Sequence, residues 1–222
     1  MPNPLAKRRS TRPMAARSYD SESRRRQQAE RKARIAAATA ALHAKKGANG
    51  TSYADIAAEA RVSLPTVYAH FPTQRELLQG CTSHVAASAP AVAADRILSA
   101  PDLAAAAALL VDAVMERHIH FEPWLAWRED RVIPFLAEMS AAAREELGAL
   151  VARVLKQHLE HGDHREMVAG WESVLSFDFW YRLTRGHHLS RPGVRRVMLR
   201  SLDAIARPQD APPTQANARR KR

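Results

Sequence analysis

From Leu64 to Phe71 the side chains fall into two sets. Val67 and Phe71, four apart, share one face of a short helix and turn inward. That leaves Leu64, Thr66, Tyr68, Ala69 and His70 outside. A hydroxyl and small apolar groups on such a face suit base edges and thymine methyls in a DNA major groove, the task expected of Thr66 with Leu64 and Ala69. Other chemistry is poorly supplied. His158, His161, His164, His187 and His188 lie near one another in sequence, but no third ligand falls at a defined spacing. They read as solvated side chains, and no metal or cofactor is expected. No nucleophile has a base at useful spacing, and no glycine-rich loop could cradle phosphate, so the chain is not expected to be an enzyme.

The outer face needs elements to position it. Ser52 and Asp55 form a capping box opening a helix whose inward face is Ile56, Ala57 and Ala60. Arg61-Val62-Ser63 makes a turn, with Val62 as its apolar pin and Ser63 capping the next helix. Pro65 sits in that helix's first turn, where its missing N–H costs nothing. Pro72 stops it, and Thr73 with Glu76 caps a following helix that begins Leu77-Leu78. The two short helices make a helix-turn-helix, too brief to stand alone. They need a clamp. A first helix from Ser23 or Arg24 to Gly47, with Ile35, Ala38 and Leu42 as its apolar stripe, supplies one side.

On these residues the chain resembles the TetR (tetracycline-repressor-like) transcriptional regulators. The resemblance is carried by Arg34-Ile35, Gly47, Thr51 to Ala57, Val62-Ser63, Pro65-Thr66-Val67-Tyr68, His70-Phe71 and Leu77-Leu78. It implies that Ser52, Ser63, Tyr68 and His70 position the domain on phosphates. It also implies a C-terminal helical domain whose last two helices pair with a second copy. Three positions depart from the pattern. Arg61 stands where a turn glycine is usual, Gln74 where a lysine is, and His43 where a phenylalanine is. Arg61 requires either a turn with negative φ or a left-handed residue held at some cost.

Composition agrees with an all-α protein, rich in alanine and lean in aromatics. The net charge of +11 is uneven. Residues 1–80 hold 15 Lys/Arg against 6 Asp/Glu, residues 81–205 hold 14 against 16, and residues 206–222 hold 5 against 1. The excess sits on the helix-turn-helix segment and both tails, which suits a polyanion partner or a solvated surface equally. Residues 1–23 read as a disordered basic arm, with Lys7, Arg8, Arg9, Arg12 and Arg17 able to follow phosphates, and residues 207–222 as a disordered basic tail. One cysteine, Cys81, permits no internal disulfide, and no run approaches the ~20 apolar residues of a membrane span. A cytoplasmic protein with no membrane partner is expected.

The helix-turn-helix domain is expected over 24–80 and an effector-binding and dimerisation domain over 81–206. In the latter, Asp102 caps a helix that Phe121-Glu122-Pro123 breaks. A further helix ends at His161-Gly162-Asp163. His118, Phe121, Trp124, Trp127, Arg128, Phe135, Trp171 and Tyr181 either line an apolar ligand cavity or pack as core. From Arg165 to Arg185 one helix is read as apolar on nearly every face, more than one subunit can bury. Trp171, Val174, Leu175 and Phe179 from it, with Val194, Val197, Met198, Leu202 and Ile205 after the Ser190 cap, are the expected dimer interface. The function this points to is a homodimeric repressor on a palindromic operator in double-stranded DNA, released by a small apolar effector. The alternative is a basic DNA-coating or protein-partnered regulator with no small-molecule effector.

Overall fold

The computed structural model describes residues 14–159 and 164–207. The chain divides into two compact units that meet in sequence at Ser88 and Ala89, and the described residues form helices and no strands.

The first unit holds α1 (Met14–Lys46), α2 (Tyr53–Glu59), α3 (Leu64–His70) and α4 (Gln74–Ala86). Its core is small: Ile35, Ile56, Val67, Phe71 and Leu77 with the alanines 36, 38, 57 and 60. The alanines let α1 and α2 approach closely. Phe71 closes the core under Gly80 of α4, where an added Cβ would stand 2.5 Å from the buried ring. The stripe on α1 continues to Thr39 and His43. Thr39 donates to the Ile35 carbonyl at 2.8 Å, and His43 Nδ1 lies 3.6 Å from Cys81 Sγ. Burial pushes that thiol up to about 12, so it stays protonated. Gly47 ends α1 at φ 74°. The expected start of α1 near Ser23 or Arg24 is corrected: the helix begins at Met14. Once a helix is nucleated, each added residue costs little, so Ser21 and Ser23 do not act as stops. Lys7, Arg8, Arg9 and Arg12 lie outside the described residues.

The second unit holds α5 (Ala94–Leu98), α6 (Leu103–Leu125), a 3-10 turn (Glu129–Arg131), α7 (Pro134–His158), α8 (Arg165–Leu175), α9 (Phe177–Tyr181), a π-helical turn (Arg182–Gly186) and α10 (Arg191–Ala206). Asp102 caps α6 by accepting from the Ala105 N–H at 2.7 Å. Pro123 does not break α6. The helix runs on to Leu125, and the Ala126 N–H still reaches the Glu122 carbonyl at 3.0 Å. The ring removes one donor, and it does so beside Ile119, which is exposed. Ser190 precedes α10 but its side chain makes no capping bond. His161-Gly162-Asp163, expected to end the helix before α8, lies outside the described residues.

The single helix expected over 165–185 is corrected. Ser176 interrupts it, ending α8 and capping α9 through the Phe179 N–H at 3.2 Å. The break resets the helical phase, so residues that seem to face all ways along one axis face one core from two. Trp171, Val174 and Leu175 are buried there with Val194, Met198 and Leu202 of α10. The Trp171 indole N–H donates to the Leu202 carbonyl at 3.2 Å. These six residues are already covered within one chain. Phe179, Val197 and Ile205 remain half-buried.

Candidate nucleic-acid interface

The reading face is built from α3, a helix of seven residues held at both ends. Its N-terminus is capped by Ser63, which accepts from the Thr66 N–H at 3.3 Å. Its inward residues Val67 and Phe71 are fully buried. The turn before it is a Schellman motif, in which the Val62 N–H reaches the Ala57 carbonyl at 3.0 Å and the Arg61 N–H that of Ala58 at 3.1 Å. Arg61 occupies its left-handed position, at φ 51°. Arg34 of α1 donates its Nε–H to the Ala60 carbonyl at 3.0 Å, placing a cation on the C-terminal end of α2. At the other end of α2, Lys46 meets Asp55 at 2.7 Å. That ammonium, with the Ser52 N–H and hydroxyl, holds the Asp55 carboxyl well below the usual carboxylate range.

Outward, Leu64, Tyr68 and Ala69 are exposed, and Thr66 and His70 are half-buried. Tyr68 is not loose. Its ring stacks on Tyr53 of α2 with centroids 4.5 Å apart and planes 8° from parallel. Burial, then the neighbouring Tyr68 and Glu76, push the Tyr53 phenol up. The serines are engaged as caps. The Ser52 hydroxyl donates its one proton to Asp55 at 2.8 Å, so it has none left for a phosphate oxygen. The Ser63 and Thr66 hydroxyls lie 2.7 Å apart, and whichever donates, the other keeps a free proton.

Along one flank of α3 runs an open groove. Pro65, Thr66, Ala69 and His70 form one wall, and Arg25, Gln28, Ala29, Arg31 and Lys32 of α1 the other. The Lys32 ammonium stands 5.3 Å over the Phe71 ring.

In the second unit, His118 of α6 donates from Nε2 to the Leu175 carbonyl, the last residue of α8, at 2.9 Å. Its ring lies 5.6 Å from both Phe177 and Trp180. Burial dominates and lowers this imidazole to about 4. Arg128, left-handed at φ 57°, pairs with Asp178 and lies 5.0 Å over Phe177 and 5.3 Å over Tyr181. Glu122 takes Arg185, from the π-helical turn, at 2.5 Å.

Residues 35–81 match the family model of the bacterial regulatory proteins, tetR family. Over those residues the first unit is a TetR-type DNA-binding domain. Among solved structures, a protein from Mesorhizobium loti MAFF303099 described as a TetR-family transcriptional regulator has the same fold. The TM-score is 0.59 at 19% identity, over 80% of this chain and 96% of that one. The multidrug binding protein EbrR, complexed with imidazole, gives 0.53 at 22%, over 82% and 97%. A search of curated proteins returns no match.

In the TetR-type head, the structure brings Ser63, Leu64, Thr66, Tyr68, Ala69 and His70 together on α3, with Ser52 at the start of α2. Tyr53 and the α1 side of the groove lie beside this face, and the sequence does not single them out. Tyr53 follows a cap and reads as ordinary helix, and no sequence rule pairs it with Tyr68. Of the cavity candidates, His118, Arg128 and Tyr181 gather around Phe177. Trp171 does not join them; it is fixed in the α8–α10 core. Trp127 is exposed, and Phe121 stacks under the Arg117 guanidinium at 5.2 Å. Phe177, Trp180 and Asp178 stand in the same group, and the sequence does not single them out because nothing in it marks the break at Ser176 that presents them. Among the described residues no group of three His, Cys, Asp or Glu could hold a metal, and no helix is long and apolar enough to cross a membrane.

Proposed function

We propose that this protein is a homodimeric repressor that reads a two-fold symmetric operator with α3 and is released by a small apolar ligand bound in its second unit. One observation carries the DNA half of this reading: the face of α3 is exposed while its backbone is capped and its inward side fully buried. A rigid helix with exposed donors and methyls is what major-groove readout needs. Tyr68 and His70 serve as phosphate contacts, and Thr66, Leu64 and Ala69 meet base edges. Ser63 retains a hydroxyl proton for phosphate whenever Thr66 donates to it. Ser52 acts by fixing α2 and would reach phosphate only by opening its capping box. Ligand release has separate support. EbrR, a fold relative, is named for multidrug binding and was solved with imidazole. His118, Phe177, Tyr181 and Arg128 offer apolar rings with a few polar groups, the composition of a small-molecule site. Release requires only that the ligand bind the DNA-competent dimer less well than the alternative state.

Selection from a random DNA pool tests the reading directly. An enriched, two-fold symmetric sequence is expected. Enrichment of nothing would leave a sequence-indifferent DNA-coating protein in its place.

A further inference from the structure

The groove beside α3 has Thr66 and Ala69 of the proposed reading face on one wall, and the composition of its α1 wall is selective. Its α1 wall carries Arg25, Arg31 and Lys32, and no carboxylate lines it. Arg25, Gln28, Ala29 and Lys32 follow helical spacing, so they share one face of α1. Arg25 and Arg31 are exposed and form no ion pair among the described residues. Lys32 is steadied over Phe71, a ring of the head's own core. Ala29 and Ala69, one from each wall, keep the groove clear of bulky side chains. A second groove, between α5 and α7, shows the contrast. There Asp95 stands in the same lining as Arg153 and Lys156, so its charge is mixed.

We propose that the α1–α3 groove is a phosphate channel: Arg25, Arg31 and Lys32 hold the DNA backbone strand that flanks α3. The N-terminal half of α1 is thereby part of the DNA-binding surface. This rests on α3 being the recognition helix. A helix in the major groove has a phosphate strand along each flank. On this flank the strand meets three unneutralised cations at fixed spacing, with Thr66 and His70 on the opposite wall. The contact is blind to sequence. It adds affinity and fixes the angle at which α3 enters the groove.

The test uses the full chain with two duplexes, one of mixed sequence and one enriched from a random pool, titrated over a range of salt concentrations. Each phosphate contact contributes about 0.9 to the slope of log affinity against log salt, so Arg25→Gln/Arg31→Gln lowers that slope by about 1.8 per bound chain. Affinity at low salt falls by roughly ten- to a hundredfold, by the same factor for both duplexes. The charge-preserving Arg25→Lys/Arg31→Lys restores the slope. Both pairs are exposed, and an unchanged circular dichroism spectrum confirms that the variants fold. If a sequence is enriched and the glutamine variant keeps the wild-type slope, the channel is overturned and the reading of α3 stands. If no sequence is enriched, the reading of α3 fails whatever the slopes show.

Discussion

At the scale of single residues, the head depends on two positions, Arg61 and Tyr53, that set how α2 and α3 meet. Arg61 holds the left-handed place in the Schellman motif, at φ 51°. For a residue with a Cβ that conformation costs about 1–2 kcal/mol, while glycine there gives back part of the gain through a freer unfolded chain. Arg61→Gly should therefore stabilise the first unit by about 0.5–1 kcal/mol. Circular dichroism during denaturant unfolding measures this, since all four tryptophans lie in the second unit and their fluorescence does not report on the first. A loss of stability would show that Arg61 makes a compensating contact. Tyr53 acts through Tyr68. Their stack is worth about 0.5–1.5 kcal/mol beyond buried area, so Tyr53→Leu should weaken operator binding by roughly two- to tenfold. Mobility shifts should show this with the dimer intact; unchanged affinity would mean Tyr68 needs no support. The sequence marks Tyr68 by its place on the outer face. It cannot mark Tyr53, because the stack exists only once the turn at Arg61 sets α2 against α3.

At the scale of elements, His118 joins two helices. Its Nε2–H closes the carbonyl of Leu175, where α8 ends at the Ser176 break. The imidazole is held neutral to about pH 4, below the usual histidine value near 6.5. Between those two values the unfolded chain binds the proton and the folded chain does not. Stability of the second unit should therefore be full above about pH 6.5 and fall with acid through this window, by about 3 kcal/mol at most. His118→Gln keeps an N–H donor and cannot titrate. Tryptophan fluorescence, read through Trp180 beside the imidazole, should show a flatter acid profile for the variant; identical profiles would assign the acid loss to other groups. What was legible at this scale was local. The caps at Ser52, Ser63, Thr73 and Asp102 are each formed with a residue three along, and all four appear as expected. The break at Ser176 was not legible. Ser176 to Tyr181 hold no Gly or Pro to mark a stop, and only a core on both sides of the bend makes two short helices better than one long one.

At the scale of the whole molecule, one head reads one half-site, and useful specificity on a symmetric operator needs two heads held together. Of the apolar surplus from Arg165 to Arg185, a single chain buries Trp171, Val174, Leu175 and Trp180 and leaves Met167, Val168, Phe177, Phe179, Tyr181 and Leu183 partly buried. On α10, Val194, Met198 and Leu202 turn into the chain's own core, while Val197, Ser201 and Ile205, at helical spacing, stay half-buried along its edge. Phe179 adds an aromatic ring in the same condition. The charge of residues 81–205, 14 basic against 16 acidic, leaves little net repulsion between two such copies. Val197→Arg places a cation on that edge without entering the core, so the fold should persist while the pair separates. Sedimentation should show wild type as a dimer and the variant as a monomer at micromolar concentration. Operator affinity should fall by about a hundredfold or more, because the second half-site no longer binds as part of one molecule. Binding to mixed-sequence DNA should fall far less. A variant that remains dimeric would move the interface off this edge of α10, and a wild type that sediments as a monomer would remove the two-headed reading altogether.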